Sequence, residues 1–487
     1  MNAVDYFLDN QVCPEHPFLL GGNGSCTYGE LKRRVAGFRK YLDENYPENE
    51  KFILLTANSM FFVVPYLAIM QSRRVVIPLN PAIDVETFRE IVDQTQTSHV
   101  VASRAVSNRL DLSGFNVIDE VLFDQTDVFP RGTSFEPDGS ATSPNELAQI
   151  IFTSGSTAKP KGVMISHQNL MANTQSIIDY LHLTSDDIME VVLPFYYCYG
   201  LSLLHTHLRV GGSLVLNNNF ALIGGVINDL NKYQCTGFAG VPSHYQILLR
   251  KNQAFQNTSF PYLRYVTQAG GKLHDVFIHE FRQAFPQVNF YVMYGQTEAT
   301  ARLSYLDPAF VDSKAKSIGK GIPGVELKVV DELGGRPPVG EVGEIIARGG
   351  NIMLGYWHEE LETRQAIRDG WLYTGDLGHY DEDGFIFLTS RKKEIIKVGG
   401  NRVSPKEIEE VIVSMPGVVD CSIVPIPHDI LGEAIRAIVV VGEAGAVITK
   451  EDVQAYCAGR LVAYKVPVEV EISSQMAVSS SGKKVKK

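Results

Sequence analysis

The sequence predicts an α/β fold with mostly parallel sheets, followed by a smaller C-terminal α+β domain. Three observations predict it. Short β-branched runs alternate with amphipathic helical stretches through most of the chain. The pattern changes after Ser390-Arg391-Lys392-Lys393. The length, 487 residues, accommodates two to four units at about 100–200 residues each.

Taken in order, Thr27-Tyr28-Gly29-Glu30 reads as a capping box that opens a helix. Leu31, Val35, Phe38 and Leu42 then recur as one apolar stripe at helical spacing. Lys51-Phe52-Ile53-Leu54-Leu55 and Arg74-Val75-Val76-Ile77-Pro78 read as buried strands, each followed by helix-like sequence. The longest apolar run, Phe61 to Met70, stops at Gln71-Ser72-Arg73-Arg74 and is too short to span a bilayer. Residues 124–147 are polar and rich in Asp, Ser, Thr and Pro, as expected of a connector between subdomains. Ala148 to Phe152 is strand-like. Further on, Ser404-Pro405-Lys406-Glu407 combines a capping box with Pro at the first helical position. Strand-like 418–426 and 434–442 follow, then a helix from Thr449. The expected division is 1–392 and 393–487, the second unit being of ordinary domain size.

Hydrophobic residues at 45% and charged residues at 20% suit a globular chain with sizeable cores. Lys+Arg number 44 and Asp+Glu 55, a net charge of −11. That balance argues against a general binder of nucleic acid or anionic membrane. A polyanionic substrate must be met by a local cluster. The six cysteines are scattered, with no CxxC pair or His/Cys comb, so neither a disulfide framework nor a zinc knuckle is expected. A reducing, cytoplasmic compartment fits this usage. The start, MNAVDYFLDN, lacks the basic-then-apolar layout of a signal peptide.

The most informative stretch is Thr153-Ser154-Gly155-Ser156-Thr157-Ala158-Lys159-Pro160-Lys161-Gly162. Small residues let backbone N–H groups approach a polyphosphate, hydroxyls donate to it, and lysines offset its charge. It is not a Walker A loop, which needs Gly-Lys-Ser/Thr where Pro160-Lys161-Gly162 stands. Other segments follow in order: Tyr294-Gly295-Gln296-Thr297-Glu298, Tyr373-Thr374-Gly375-Asp376, Arg391-Lys392-Lys393-Glu394, Lys397-Val398-Gly399-Gly400 and Ser481-Gly482-Lys483. Alone, Thr-Glu is a common helix start, Gly-Asp a turn, and the C-terminal lysines a solvated tail. As an ordered set they resemble the adenylate-forming superfamily: acyl- and aryl-CoA synthetases, stand-alone or peptide-synthetase adenylation domains, and beetle luciferases.

The resemblance implies a large N-terminal region of α/β subdomains with a small β-barrel, and a mobile C-terminal α+β lid hinged at Lys393. It implies ATP-dependent conversion of a carboxylic acid to an acyl-AMP, then transfer to the thiol of CoA or of a carrier protein's phosphopantetheine. Two anions must meet, and at about 4 Å and an effective dielectric near 20 each like-charge pair costs roughly 4 kcal/mol. Cations and Mg²⁺ must therefore converge on the reacting phosphate. By resemblance Thr153, Ser154, Gly155, Ser156, Thr157 and Lys161 cradle the phosphates. Thr297 contacts the α-phosphate and Glu298 holds Mg²⁺. Ala269, Gly270 and Gly271 lie along the adenine, and Tyr294, beside Gly295, stacks on it. Asp376 accepts from the ribose hydroxyls with Arg391 as its companion. Lys483 bridges carboxylate and α-phosphate, although the usual Pro-x-Thr before it is absent. After rotation, Lys397, Gly399 and Gly400 face the acyl-adenylate and leave room for pantetheine. A catalytically silent nucleotide- or acyl-binding relative is the non-enzyme alternative.

For the acid, Tyr197 stands where the family often has a gating His. No Asp accompanies it in Pro194–Gly200 to pair a substrate ammonium, which disfavours an α-amino acid. Tyr197, Phe238, Val241, Met293 and Gln296 are the pocket candidates. Arg302, four residues past Glu298, either reaches a second carboxylate or another polar group on the substrate, or makes a surface ion pair.

Overall fold

A computed structural model describes residues 1–21, 24–126, 135–137, 142–153, 159–392, 394–442 and 448–473. Half of the connector expected at 124–147 therefore lies outside the described residues.

The predicted βα alternation produces two large sheets. In the first, Leu147–Thr153, Val75–Pro78, Lys51–Leu55, His99–Ala102 and Asn116–Ile118 lie side by side in parallel. Lys161–Ser166 returns antiparallel along Leu147–Thr153, with Thr153 opposite Lys161, and Gly355–Tyr356 adds the edge. The second has a parallel half in the order Pro17–Leu20, Ser213–Leu216, Ile188–Val191, Gly237–Gly240, Tyr265–Gln268, Asn289–Tyr294. Most of these strands are short and apolar because helices cover both faces.

An antiparallel run continues that sheet through Ser304–Leu306, Ser317–Gly321, Ile386–Arg391, Trp371–Tyr380, Gly343–Gly349 and Val325–Val330. The pairing order is open at both ends. The small β-barrel expected from the resemblance is not confirmed: among the described residues these strands pair in one open order that continues the main sheet.

The helix Met60–Gln71 shows how the layers join. Phe62 through Gln71 are all buried, so the apolar run found in the sequence has no polar face. Its Tyr66 hydroxyl donates to Gln149 of the first sheet at 2.7 Å and lies 2.8 Å from His205 Nε2, on the helix Cys198–Val210. The Thr27 capping box forms with both of its hydrogen bonds.

A third sheet carries the C-terminal part: Asn401–Val403, Ile396–Val398, Gly432–Val441 and Val418–His428, with Glu469–Ser473 parallel to Gly432–Val441. The helix Pro405–Val413 starts where expected, but the Ser404 box does not close. The Ser404 hydroxyl donates instead to the Thr389 carbonyl at 2.8 Å, and Glu407 pairs with Lys465. The helix at Thr449 does form its capping box. Lys272 pairs with Glu410 at 2.8 Å, and Gln246 donates to Asp420, docking the third sheet and its helix onto the second.

Candidate active site

The parallel strands of the second sheet end at one edge, where their C-terminal loops gather; in open α/β sheets this is where ligands bind. Tyr197 follows the strand Ile188–Val191, Val241 follows Gly237–Gly240, Ala269 to Gly271 follow Tyr265–Gln268, and Gly295 to Glu298 follow Asn289–Tyr294. Gln268 Nε2 donates to the Gly271 carbonyl at 2.7 Å and so shapes the loop expected along adenine. Val241 and Ala269 are buried there, while Gly270 and Gly271 are exposed.

Asp376 sits on Trp371–Tyr380 directly opposite Arg391 on the neighbouring strand. Arg391 Nε reaches Asp376 Oδ1 at 3.0 Å, and the Tyr294 hydroxyl donates to Oδ2 at 2.7 Å. The carboxylate is 2% exposed, whereas the arginine side chain is largely open to solvent. Asp376 pushes the Arg391 pKa up, and burial raises that of the Tyr294 phenol, with the Asp376 charge adding to it. Sequence reasoning paired Asp376 with Arg391 but not with Tyr294. It also missed Lys406, from the C-terminal helix. Burial pulls the Lys406 pKa down, against the favourable charges of Asp376 and Glu394.

Glu298 lies in the single turn Thr297–Ala299. Its Oε1 accepts from the Tyr356 hydroxyl at 2.9 Å. Lys161 lies 5.6 Å from the centre of the Tyr356 ring and is ion-paired with Glu362. The second sheet's Glu298 and the first sheet's Lys161 are thereby brought together. Tyr356 and Glu362 carried no local signal in the sequence. Burial, then the Glu298 charge, raises the Tyr356 phenol pKa. Among the described residues no group of three or more His, Cys, Asp or Glu could hold a metal ion. A lone half-buried carboxylate is nevertheless a fitting donor for Mg²⁺, which takes one or two carboxylates alongside phosphate and water oxygens.

Between these features runs a tightly held loop. A Cβ on Gly295 would lie 2.0 Å from the Ala301 carbonyl oxygen, so only glycine fits. Thr297 Oγ1 is 3.6 Å from Cys198 Sγ, at the start of the helix Cys198–Val210. The Ala301 N–H bonds the Ala299 carbonyl at 2.7 Å, a γ-turn centred on Thr300 at φ 64°, ψ −55°.

Of the pocket candidates, Phe238 and Met293 are buried, Phe238 edge-on to Tyr245 and Met293 accepting the Tyr180 hydroxyl at 3.0 Å. Tyr197 and Gln296 are half-buried. Arg302 makes no surface ion pair: it is 2% exposed and stacks on Tyr199 at 4.7 Å.

Lys397, Gly399 and Gly400 are exposed on the third sheet, where the Lys397 N–H donates to Glu433. Ser154, Gly155, Ser156, Thr157, Lys393 and Lys483 lie outside the described residues.

The profile of the AMP-binding enzyme family matches residues 8–357, and that of the AMP-binding enzyme C-terminal domain matches 407–483. The chain is similar to the long-chain-fatty-acid–CoA ligase of Escherichia coli, 28% identical over 503 aligned positions that cover 94% of this chain and 88% of that one. With the oxalate–CoA ligase of Arabidopsis thaliana the identity is 30% over 483 positions, covering 95% and 93%. The crystal structure of ATP-bound MatB from Rhodopseudomonas palustris superposes with a TM-score of 0.88 at 27% identity, over 99% of this chain and 97% of that one.

Proposed function

We propose that this chain, which belongs to the AMP-binding enzyme family, is an AMP-forming acid–CoA ligase that first makes an acyl-AMP and then a thioester. The observation that carries the proposal is that Tyr294 and Glu298, four residues apart at the end of the strand Asn289–Tyr294, hold the Asp376–Arg391 pair and the Tyr356–Lys161 cluster respectively. One half of that arrangement suits a ribose and the other a polyphosphate. The related ligases act on acids as different as a long-chain fatty acid and oxalate, so the family leaves the acid open.

In the first step a carboxylate oxygen attacks the α-phosphorus of ATP and pyrophosphate leaves. Thr297 orients the α-phosphate, and Lys161 leaves Glu362 to pair with the outer phosphates. Mg²⁺, when held by Glu298, supplies charge neutralisation at the phosphates. Lys483 steadies the negative charge that grows between the two reactants. Asp376, fixed by Tyr294 and Arg391, accepts from the ribose hydroxyls and sets the nucleotide's position. In the second step the C-terminal domain turns about Lys393, withdrawing Lys483. The thiolate of CoA attacks the acyl carbonyl, and AMP departs. Both steps rest on positioning and on charges placed beforehand.

The test separates the half-reactions. Acid-dependent ATP–pyrophosphate exchange is measured over aliphatic, aryl, hydroxy and amino acids, and hits are then offered CoA or a carrier protein. Lys483→Ala should lose exchange by about 100-fold or more yet still convert preformed acyl-AMP to thioester. Lys393→Pro should keep exchange and lose thioester formation. Equal loss of both by Lys393→Pro rejects the hinge, and no exchange with any acid rejects the ligase. Thioester formed only on a carrier protein replaces CoA as the acceptor.

A further inference from the structure

Arg302 places a full positive charge in the interior of the protein. Its side chain is 2% exposed, and its Nε has no hydrogen-bond partner. Among the described residues no carboxylate pairs with it. A guanidinium stays protonated at physiological pH, so burial cannot be relieved by losing the proton. An uncompensated buried charge is costly, and a protein retains one where something else supplies the counter-charge. The face of Tyr199 and a hydrogen bond with the Tyr180 hydroxyl offset part of that cost. Tyr199 is itself fixed, its hydroxyl lying 3.0 Å from the Thr267 carbonyl and 2.9 Å from Thr267 Oγ1.

The backbone at Arg302 is held just as firmly. The γ-turn at Thr300 puts a β-branched residue at positive φ, a conformation that persists only where the surroundings enforce it. Here the Thr300 hydroxyl donates to the Asn351 carbonyl at 2.7 Å. The side-chain amides of Asn351 and Asn173 both donate to the Arg302 carbonyl, at 2.7 and 3.1 Å.

The location is telling. The loop Thr297–Arg302 meets the start of the helix Cys198–Val210 twice: Thr297 touches Cys198, and Arg302 lies over Tyr199. A small cavity between them is lined by Asn173, Cys198, Ser202, Thr300 and Ala301. The residue expected to hold the reacting phosphate and the buried guanidinium thus belong to one short loop against one helix.

We propose that Arg302 is a specificity-determining residue that pairs with a second carboxylate at the far end of the acid, so that the substrate is a dicarboxylic acid. This inference rests on the acid-activating reading given above. One carboxylate is activated beside Thr297, and the other supplies the charge that Arg302 lacks, through paired N–H···O bonds. A monocarboxylic acid of equal length leaves the guanidinium without a counter-charge and is rejected.

The experiment compares matched acids, butanoate with succinate, hexanoate with adipate and benzoate with terephthalate, in ATP–pyrophosphate exchange and in thermal shift with ATP present. Wild type should favour the diacid in at least one pair by about 100-fold or more in kcat/KM, and that diacid should raise Tm. Arg302→Met should lose the same diacid by a similar factor, gain on its monoacid partner, and lose the diacid's thermal shift. Arg302→Lys should keep a part of the preference. Efficient exchange of wild type with monoacids in every pair overturns the role of Arg302 and leaves the ligase reading standing. If no acid supports exchange the ligase reading falls, and the diacid thermal shift alone then decides Arg302. Should Arg302→Met fail to fold, the wild-type ratios and Arg302→Lys carry the decision.

Discussion

Asp376 shows how far a single residue could be understood before its surroundings were known. The sequence marked it as an acceptor and named Arg391 as its companion, because a turn acid and a basic residue recurred in the family's order. The strand register makes that pairing direct. Tyr294 as a second support, Tyr356 on Glu298 and Glu362 on Lys161 were not legible. Tyr356 and Glu362 come from segments with no motif to announce them, and Tyr294, although inside a motif, gave no sign that its hydroxyl would hold Asp376. Since hydrogen bonds to charged groups are worth about 1.5–3 kcal/mol, Asp376→Asn should raise the KM for ATP about 10- to 100-fold. Pyrophosphate exchange at varied ATP checks this, and an unchanged KM would remove Asp376 from the nucleotide site.

At the scale of elements, local chemistry decided where helices start more reliably than how they are capped. Thr27 and Thr449 close their boxes, but Ser404 spends its hydroxyl on Thr389 of an adjoining strand. Tertiary neighbours compete for the same donors, and a spacing rule cannot see them. The loop Gly295–Arg302 extends the point. Its motif identified Thr297 and Glu298, yet the γ-turn depends on Asn351, more than 40 residues away in the chain, whose amide reaches the Ala299 and Arg302 carbonyls. Asn351→Ala removes one of two donors from each carbonyl, leaving the Ala301 N–H on Ala299 and Asn173 on Arg302, and each lost hydrogen bond costs about 0.5–1.5 kcal/mol. The variant should show a lower Tm by differential scanning and lose exchange activity more than that modest destabilisation alone accounts for. Full activity with a lowered Tm would mean that the turn is only structural.

For the whole molecule, burial of polar groups between the layers sets a pH dependence. His205 lies between the two large sheets, and burial lowers its pKa to about 3. An unfolded histidine takes up a proton near pH 6.5. Between those values the unfolded chain binds more protons than the folded one, so this contribution to stability is present above about 6.5 and is lost as pH falls. The Tm of wild type should therefore drop more steeply between pH 6.5 and 4 than that of His205→Gln, and parallel profiles would show that His205 contributes nothing to the slope. The sequence by itself determined the α/β class and the C-terminal α+β unit, and it named the residues proposed for the nucleotide site, because element type follows from local periodicity and motif residues sit on neighbouring positions of one loop. Only the tertiary structure decided how the antiparallel strands join the main sheet, that Lys161 and Glu298 share Tyr356, and that Arg302 is buried with no carboxylate paired to it among the described residues. Strand pairing, burial and charge balance are properties of segments far apart in the chain, and they exist only once those segments are packed together.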